Sequence, residues 1–264
     1  MKLRILLALL VVCAVAASVP SLGASRWFDL SGNARFVVWY AKPVNADEKL
    51  LVSLIKASEL DKVTALLSQA LIIPKKVTIA VKGGDAGPYY NPDTHVIVLN
   101  HPFSALGLKV FKAEYPKISD YDLGVAFASL EYFVLFHEIG HALVDLWSIP
   151  VLGREEDAVD AFSTIFMTTY VPNGGQIALW GADFFNFLGR NKARYGSNDF
   201  ADEHSLDPQR AYSIACWVYG SSPTKYRGLE QVIPHSRLVR CPSEYAQLKK
   251  SWLGFLKPHV RAHG

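Results

Sequence analysis

Two histidines lie one helical turn apart in the longest helix that the sequence predicts. This helix spans residues 119–147 and contains His137 and His141, with Glu138 directly after the first. Because four residues of α-helix turn through about 400°, both histidines project from the same face. Two imidazoles in this arrangement can bind one metal ion. Glu138 lies about 100° further round the helix, where it can contact a water on that ion without binding the metal itself.

The alternative is a histidine pair on the protein surface beside a solvated glutamate. Apolar residues around the motif argue against it, because they cover much of the helix circumference: Phe133, Phe136, Ile139, Leu143 and Leu146. A helix of this kind belongs in the core. Burying histidine and glutamate without partners costs several kcal/mol, and a bound metal ion would satisfy them. The pattern therefore favours a metal site.

A third ligand is expected on the next predicted helix, residues 155–170, because catalytic zinc sites use three protein ligands and leave one position open. Glu156 is the favoured ligand, since Asp160 lies four residues on and can orient a ligand histidine through its other ring nitrogen. Glu155 is the rival ligand but has no acidic residue four positions on. A further alternative is that these acidic residues only complement the positive end of the helix dipole.

At this point the chain resembles a known group. H-E-x-x-H followed by E-x-x-x-D on the next helix is similar to the gluzincin metallopeptidases, of which thermolysin-like enzymes are the best known. More narrowly, the chain resembles a bacterial family whose members are labelled as metallopeptidases by inference alone, over most of residues 30–256. Three blocks carry this likeness: HEIGHALVD, GREEDAVDAF and DEHSLDPQRAYSIACWVYG. The resemblance implies one Zn²⁺ per chain and assigns the same roles as the spacing does. The ligands would be His137, His141 and Glu156, and the catalytic base would be Glu138. Asp160 would orient a ligand histidine without binding the metal.

Three downstream residues are candidates for contacts with the substrate. His204 is the first, as a catalytic group that stabilises the oxyanion, with Arg210 and Tyr212 close behind it in the sequence. The alternative for His204 is that it only caps the following helix. A peptide substrate would lie antiparallel along an exposed strand edge, which the predicted strand 95–99 could supply. His101, just after that strand, is expected at the surface.

The predicted elements indicate an α+β fold. Strands are expected at 36–40, 77–81 and 95–99, and helices at 45–69, 119–147, 155–170, 176–188, 207–220 and 244–256. Strands first and helices afterwards predict a small, mostly antiparallel sheet followed by a helical half. That half carries the H-E-x-x-H helix and the helix of the third ligand. With the resemblance, this implies a compact zincin-like domain.

The first 24 residues are typical of a secretory signal peptide: basic Lys2 and Arg4, an apolar run, then small residues. The apolar run, residues 5–17, is shorter than the roughly 20 residues that span a bilayer, so no stable membrane insertion is expected after cleavage. Residues 25–264 would form a single domain. The sequence leaves the cleavage site open.

Composition excludes several classes. Half of the 264 residues are hydrophobic, so the chain is not intrinsically disordered. The formal net charge of +3 includes Lys2 and Arg4, and their removal leaves 25 basic against 24 acidic residues, which predicts no nucleic-acid partner. Of three cysteines, Cys13 lies in the signal. Cys216 and Cys241 are expected to pair in a periplasmic or secreted protein, the alternative being two buried thiols.

These features predict an exported zinc-dependent peptidase that uses a metal-activated water, with Glu138 as general base. Its partner is expected to be a peptide or protein substrate, and its oligomeric state is left open. Two alternatives share the metal site. One is a catalytically silent zinc-containing protein that binds peptides, and the other is an amidase that acts on peptidoglycan cross-links.

Overall fold

Four short strands form one mixed sheet. The computed structural model describes residues 35–85 and 87–261, so the predicted signal peptide and Cys13 lie outside the described residues. The strands are β1 (Phe36–Tyr40), β2 (Val77–Lys82), β3 (Tyr89–Asn91) and β4 (Val96–Asn100). Their order in the sheet is β1-β2-β4-β3. Strand β2 is parallel to both of its neighbours, β1 and β4, whereas β3 is antiparallel to β4.

The α+β class is confirmed, with the sheet before the helical half, but the expected mostly antiparallel pairing is wrong. The chain between β1 and β2 folds into α1 (Ala46–Ala57) and α2 (Leu60–Ala70). These helices return the chain to the end of the sheet where β1 began, and such a crossover joins parallel strands. The expected free edge on residues 95–99 is also wrong, because β4 is paired on both sides and the edge strands are β1 and β3.

The other regular elements of the described chain are helices. They are α3 (His101–Glu114), α4 (Asp120–Leu146), α5 (Glu155–Tyr170), α6 (Gly174–Asn191), α7 (Ser197–Ala201), α8 (Asp207–Ser221), α9 (His235–Leu238) and α10 (Cys241–Leu256), with 3₁₀ turns at Arg227–Gln231 and Lys257–His259. Helix α3 follows β4 without a loop, and His101 is its first residue. The expectation of a surface His101 is wrong, because this side chain is buried where strand and helix meet.

Helix α4 is the centre of the molecule. It contacts β3 and β4 on one side and α3, α5 and α6 on the others. The side chain of Ser119 caps its first turn by accepting a hydrogen bond from the backbone N–H of Asp122. Its length and apolar character match those of a membrane span, but 94% of its most apolar window is buried inside the protein. This burial is that of a core helix, as the apolar residues around the motif predict.

A disulfide joins the two helices at the C-terminal side of the core. Cys216 in α8 is bonded to Cys241, the first residue of α10, with their Cα atoms 5.1 Å apart. The predicted pairing is confirmed. A disulfide is compatible with export, since disulfides persist in oxidising compartments.

Candidate metal centre and catalytic cleft

The two motif histidines of α4 meet the first turn of α5. His137 Nε2 lies 2.9 Å from Glu156 Oε2, and His141 Nε2 lies 3.2 Å from Glu156 Oε1. The two Nε2 atoms are 3.3 Å apart. Three donor groups thus converge on one point, as the spacing of the motif predicts.

Gly140 lets the two helices come this close. A Cβ atom at this position would lie 2.9 Å from the side chain of Val159 and 3.1 Å from that of Phe162, both in α5. Real Cβ atoms essentially never come within 3.0 Å of another side chain, so a larger residue would push α5 away. The glycine inside the motif therefore brings Glu156 within reach of the histidines.

The outer nitrogen of each histidine faces a carboxylate of α5. His137 Nδ1 lies 2.8 Å from Asp160 Oδ1, as the E-x-x-x-D spacing predicts. His141 Nδ1 lies 2.7 Å from Glu155 Oε1. Carboxylates in these positions fix the ring orientation, so that each Nε2 faces the common centre.

Arg210 lies behind this layer. Its guanidinium donates two hydrogen bonds to Asp160, of 2.8 and 2.9 Å, and stacks over the ring of Phe185 at 3.8 Å. Burial alone would raise the pKa of Asp160, but Arg210 and His137 hold it well below its usual range. The guanidinium is therefore engaged with Asp160. Tyr212 is half exposed on α8 and lines surface depressions away from the histidines.

His204 reaches the same centre from the loop before α8. Its Nε2 lies 2.9 Å from Glu156 Oε2, and its Nδ1 lies 3.0 Å from Asp202 Oδ1. Arg154 donates a hydrogen bond of 2.8 Å to the backbone carbonyl of His204, which fixes the loop. Helix α8 has Leu206 as its N-cap residue, so the alternative of His204 as the cap does not apply.

Glu138 is buried beside the histidines. Only 3% of this residue is exposed, and its Oε2 has no hydrogen-bond partner within the described residues. Burial raises the pKa of its carboxyl group, and the neighbouring His137 and His141 lower it in part. An unpaired buried carboxylate oxygen is costly unless a ligand or water completes it.

The donor set fits a metal ion. Donor atoms of His137, Glu156 and His204 lie within 4.8 Å of one another. His141 Nε2 lies beside them, 3.3 Å from His137 Nε2 and 3.2 Å from Glu156 Oε1. Burial would raise the pKa of Glu156, but hydrogen bonds from the three histidines hold it well below its usual range, so this ligand is a carboxylate. Imidazole and carboxylate donors with an unpaired glutamate beside them suit a divalent ion and a water.

The centre lies in a cleft of about 630 Å³. Strand β3 and its flanking loops also line the cleft, through residues that include Tyr89 and Tyr90. The Tyr90 hydroxyl donates a hydrogen bond of 2.6 Å to Asp145 on α4, which ties β3 to that helix. These residues carry no recognisable motif in the sequence, where the segment before β4 reads as a turn. The adjacent tyrosines were the available signal for a short strand.

A family model described as "Putative metallopeptidase" matches residues 40–256. The chain belongs to this family. The narrower resemblance noted from the sequence is thereby confirmed. Membership supports peptide hydrolysis in general terms, and it implies a metal ion and a peptide or protein substrate. No protein of curated function and no solved structure matches the chain.

Proposed function

We propose that this member of the metallopeptidase family is a zinc-dependent, gluzincin-type peptidase. One observation carries the proposal: His137, His141 and Glu156 converge while carboxylates hold both outer ring nitrogens. The His/His/Glu donor set and the ready availability of zinc favour it over other divalent ions. These three residues would hold one Zn²⁺ per chain.

The cleft provides a base beside the ligands. When bound, zinc acts as a Lewis acid that makes water more acidic and polarises a carbonyl group. Glu138 Oε2, which has no other partner in the described chain, would take the proton of the attacking water. Glu138 would then donate this proton to the nitrogen of the leaving amine. A buried base next to the ligands argues for an enzyme, since a protein that only binds peptides needs no base there.

His204 would stabilise the oxyanion that forms on the substrate carbonyl. Its Nε2 already faces the donor group, and Asp202 holds the other ring nitrogen at 3.0 Å. A donor prepared in this way stabilises negative charge without rearranging during the reaction. Arg210 would act one layer further back, through Asp160, and not on the substrate. The exposed position of Tyr212 gives it no part in this proposal.

The peptide would bind along β3. This strand is one of the two edges of the sheet, and its residues Tyr89 and Tyr90 line the cleft. An extended peptide can add to such an edge through backbone hydrogen bonds, which align its carbonyl groups regardless of side chain. The edge of β3 replaces the one expected on residues 95–99. We also propose that the protein is exported, with residues 1–24 as its signal and residues 25–264 as one domain.

Metal analysis combined with a peptide-library digest tests the function. The expected result is about one zinc per chain, cleavage of extended peptides, loss of cleavage with a chelator and recovery when Zn²⁺ is added back. One zinc per chain with no cleavage would favour the silent binding protein. Cleavage of cross-linked peptidoglycan fragments but not of library peptides would favour the amidase. Cleavage that persists in the purified protein without metal would contradict the proposal.

A further inference from the structure

We infer that Glu155 is a positioning residue that holds the ligand His141, and this inference rests on the proposed metal site. Its Oε1 lies 2.7 Å from His141 Nδ1, on the side of the ring opposite the converging Nε2. Glu155 thus does for His141 what Asp160 does for His137. Glu155, the alternative to Glu156 as third ligand, would therefore orient a ligand instead of binding the metal.

Helix geometry explains how adjacent glutamates take different roles. Successive residues of an α-helix project about 100° apart, so Glu155 and Glu156 cannot face the same point. Glu156 directs its two carboxylate oxygens at the two Nε2 atoms, at 2.9 and 3.2 Å. Glu155 passes to the outside of the His141 ring. The dipole of α5 favours both negative charges, because they lie in its first turn.

The two positioning carboxylates differ in their surroundings. Asp160 is buried, and Arg210 holds it with two hydrogen bonds. The side chain of Glu155 is 45% exposed, and within the described residues its one ion-pair partner is His141. His137 is therefore fixed by a buried network, whereas His141 depends on one side chain at the cleft rim. Losing Glu155 frees the ring to rotate and lowers the basicity of Nε2.

The direct test is the zinc affinity of purified variants, measured by competition with a chromophoric chelator. E155A should bind Zn²⁺ about 10- to 100-fold more weakly than the wild type. E155Q should lose less, because an amide oxygen can still accept the hydrogen bond from Nδ1. The matched control is D157A, which removes an exposed acidic side chain from the same first turn and should leave the affinity unchanged. The metal-free forms of E155A and D157A should unfold at the same urea concentration.

Two results would overturn the inference. The first is an E155A affinity equal to that of the wild type and D157A, which would make the contact incidental. The second is an E155A variant that binds no zinc, like H141A, while E156Q still binds, which would make Glu155 the ligand itself. A wild-type protein that binds no metal would contradict the proposed function, and the inference with it. Normal wild-type affinity with an unaffected E155A variant contradicts the positioning role alone.

Discussion

Arg210 donates two hydrogen bonds to Asp160, one from Nε at 2.8 Å and one from Nη2 at 2.9 Å. Asp160 Oδ1 also lies 2.8 Å from His137 Nδ1. A continuous polar chain therefore runs from α8 through α5 to the motif helix. Only 11% of the Arg210 side chain and 3% of the Asp160 side chain are exposed. Their mutual attraction offsets the cost of removing both charges from water only while the pair is intact.

Replacing Arg210 with methionine should destabilise the fold. The R210M variant keeps most of the side-chain volume but leaves the buried Asp160 carboxylate without its cation. We expect the free energy of unfolding of the metal-free protein to fall by about 3–5 kcal/mol, measured with urea. The control is R190M, which removes an exposed guanidinium paired with Glu114 and should cost less than about 1 kcal/mol. Equal losses in the two variants would contradict a structural role for the buried pair.

The E138Q variant should retain zinc and lose turnover. Glutamine has the shape of glutamate but cannot take the proton of the attacking water. We expect kcat to fall by about 10²- to 10⁴-fold, with KM and zinc content unchanged. E203Q is the matched control, because Glu203 lines the same cleft and has no proposed role. An E138Q enzyme as active as E203Q would rule out Glu138 as the base.

The H204A variant should also keep its zinc, since His137, His141 and Glu156 remain. Without a donor for the oxyanion, kcat should fall by about 10²- to 10³-fold. The exposed His235 provides the control H235A, for which no change is expected. Steady-state kinetics and metal analysis of the same samples separate the two possible roles. A zinc content near zero in H204A would mean that His204 is a metal ligand.

The close contact at Gly140 predicts the effect of one methyl group. G140A places a Cβ 2.9 Å from Val159 and should push α5 away from α4. We expect a loss of about 1–3 kcal/mol in the free energy of unfolding, together with weaker zinc binding. G254A is the control, because Gly254 also lies in a helix but has no atom near its Cβ position. That variant should gain about 0.5–1 kcal/mol. Equal zinc affinity in G140A and wild type would contradict the role of the contact.

The local part of the site could be predicted from the sequence, because it depends on helical spacing alone. His137, Glu138 and His141 share one helix, and Glu156 and Asp160 share the next, so 3.6-residue periodicity sets their faces. The approach of His204 depends on the packing of α8 against α5 and α6, which no local pattern encodes. The contact of Glu155 with His141 depends in turn on how α5 packs against α4, which the sequence pattern does not give either.

The sheet pairing and α3 were harder to predict. Strands β1 and β2 are parallel because α1 and α2 return the chain to the end of the sheet where β1 began. The residue pattern of the strands alone does not reveal this connection. Helix α3 contains Gly107, which reads as a breaker in isolation. In the fold, a Cβ at Gly107 would lie 2.6 Å from Leu130, so this glycine permits close packing on α4. A tertiary contact thus overrides the local preference.

Glu131 should make the stability of the protein depend on pH. It is buried in α4, two helical turns before Glu138, and its Oε1 has no hydrogen-bond partner within the described residues. Burial raises the pKa of this carboxyl group from 4.5 to about 7, although a hydrogen bond with Ser104 opposes the rise. The folded state therefore binds this proton more tightly than the unfolded state. The resulting stabilisation is complete below pH 4.5 and is lost as the pH rises through 7.

The E131Q variant isolates this effect, because glutamine resembles the protonated side chain at every pH. Between pH 4.5 and about 8, the wild type should lose roughly 3 kcal/mol of unfolding free energy relative to E131Q. Urea titrations of both metal-free proteins across this range measure the difference, in which the other titrating groups cancel. A pH-independent difference for E131Q would mean that Glu131 is ionised in the folded protein, and that a charged carboxylate is tolerated at the centre of the core helix.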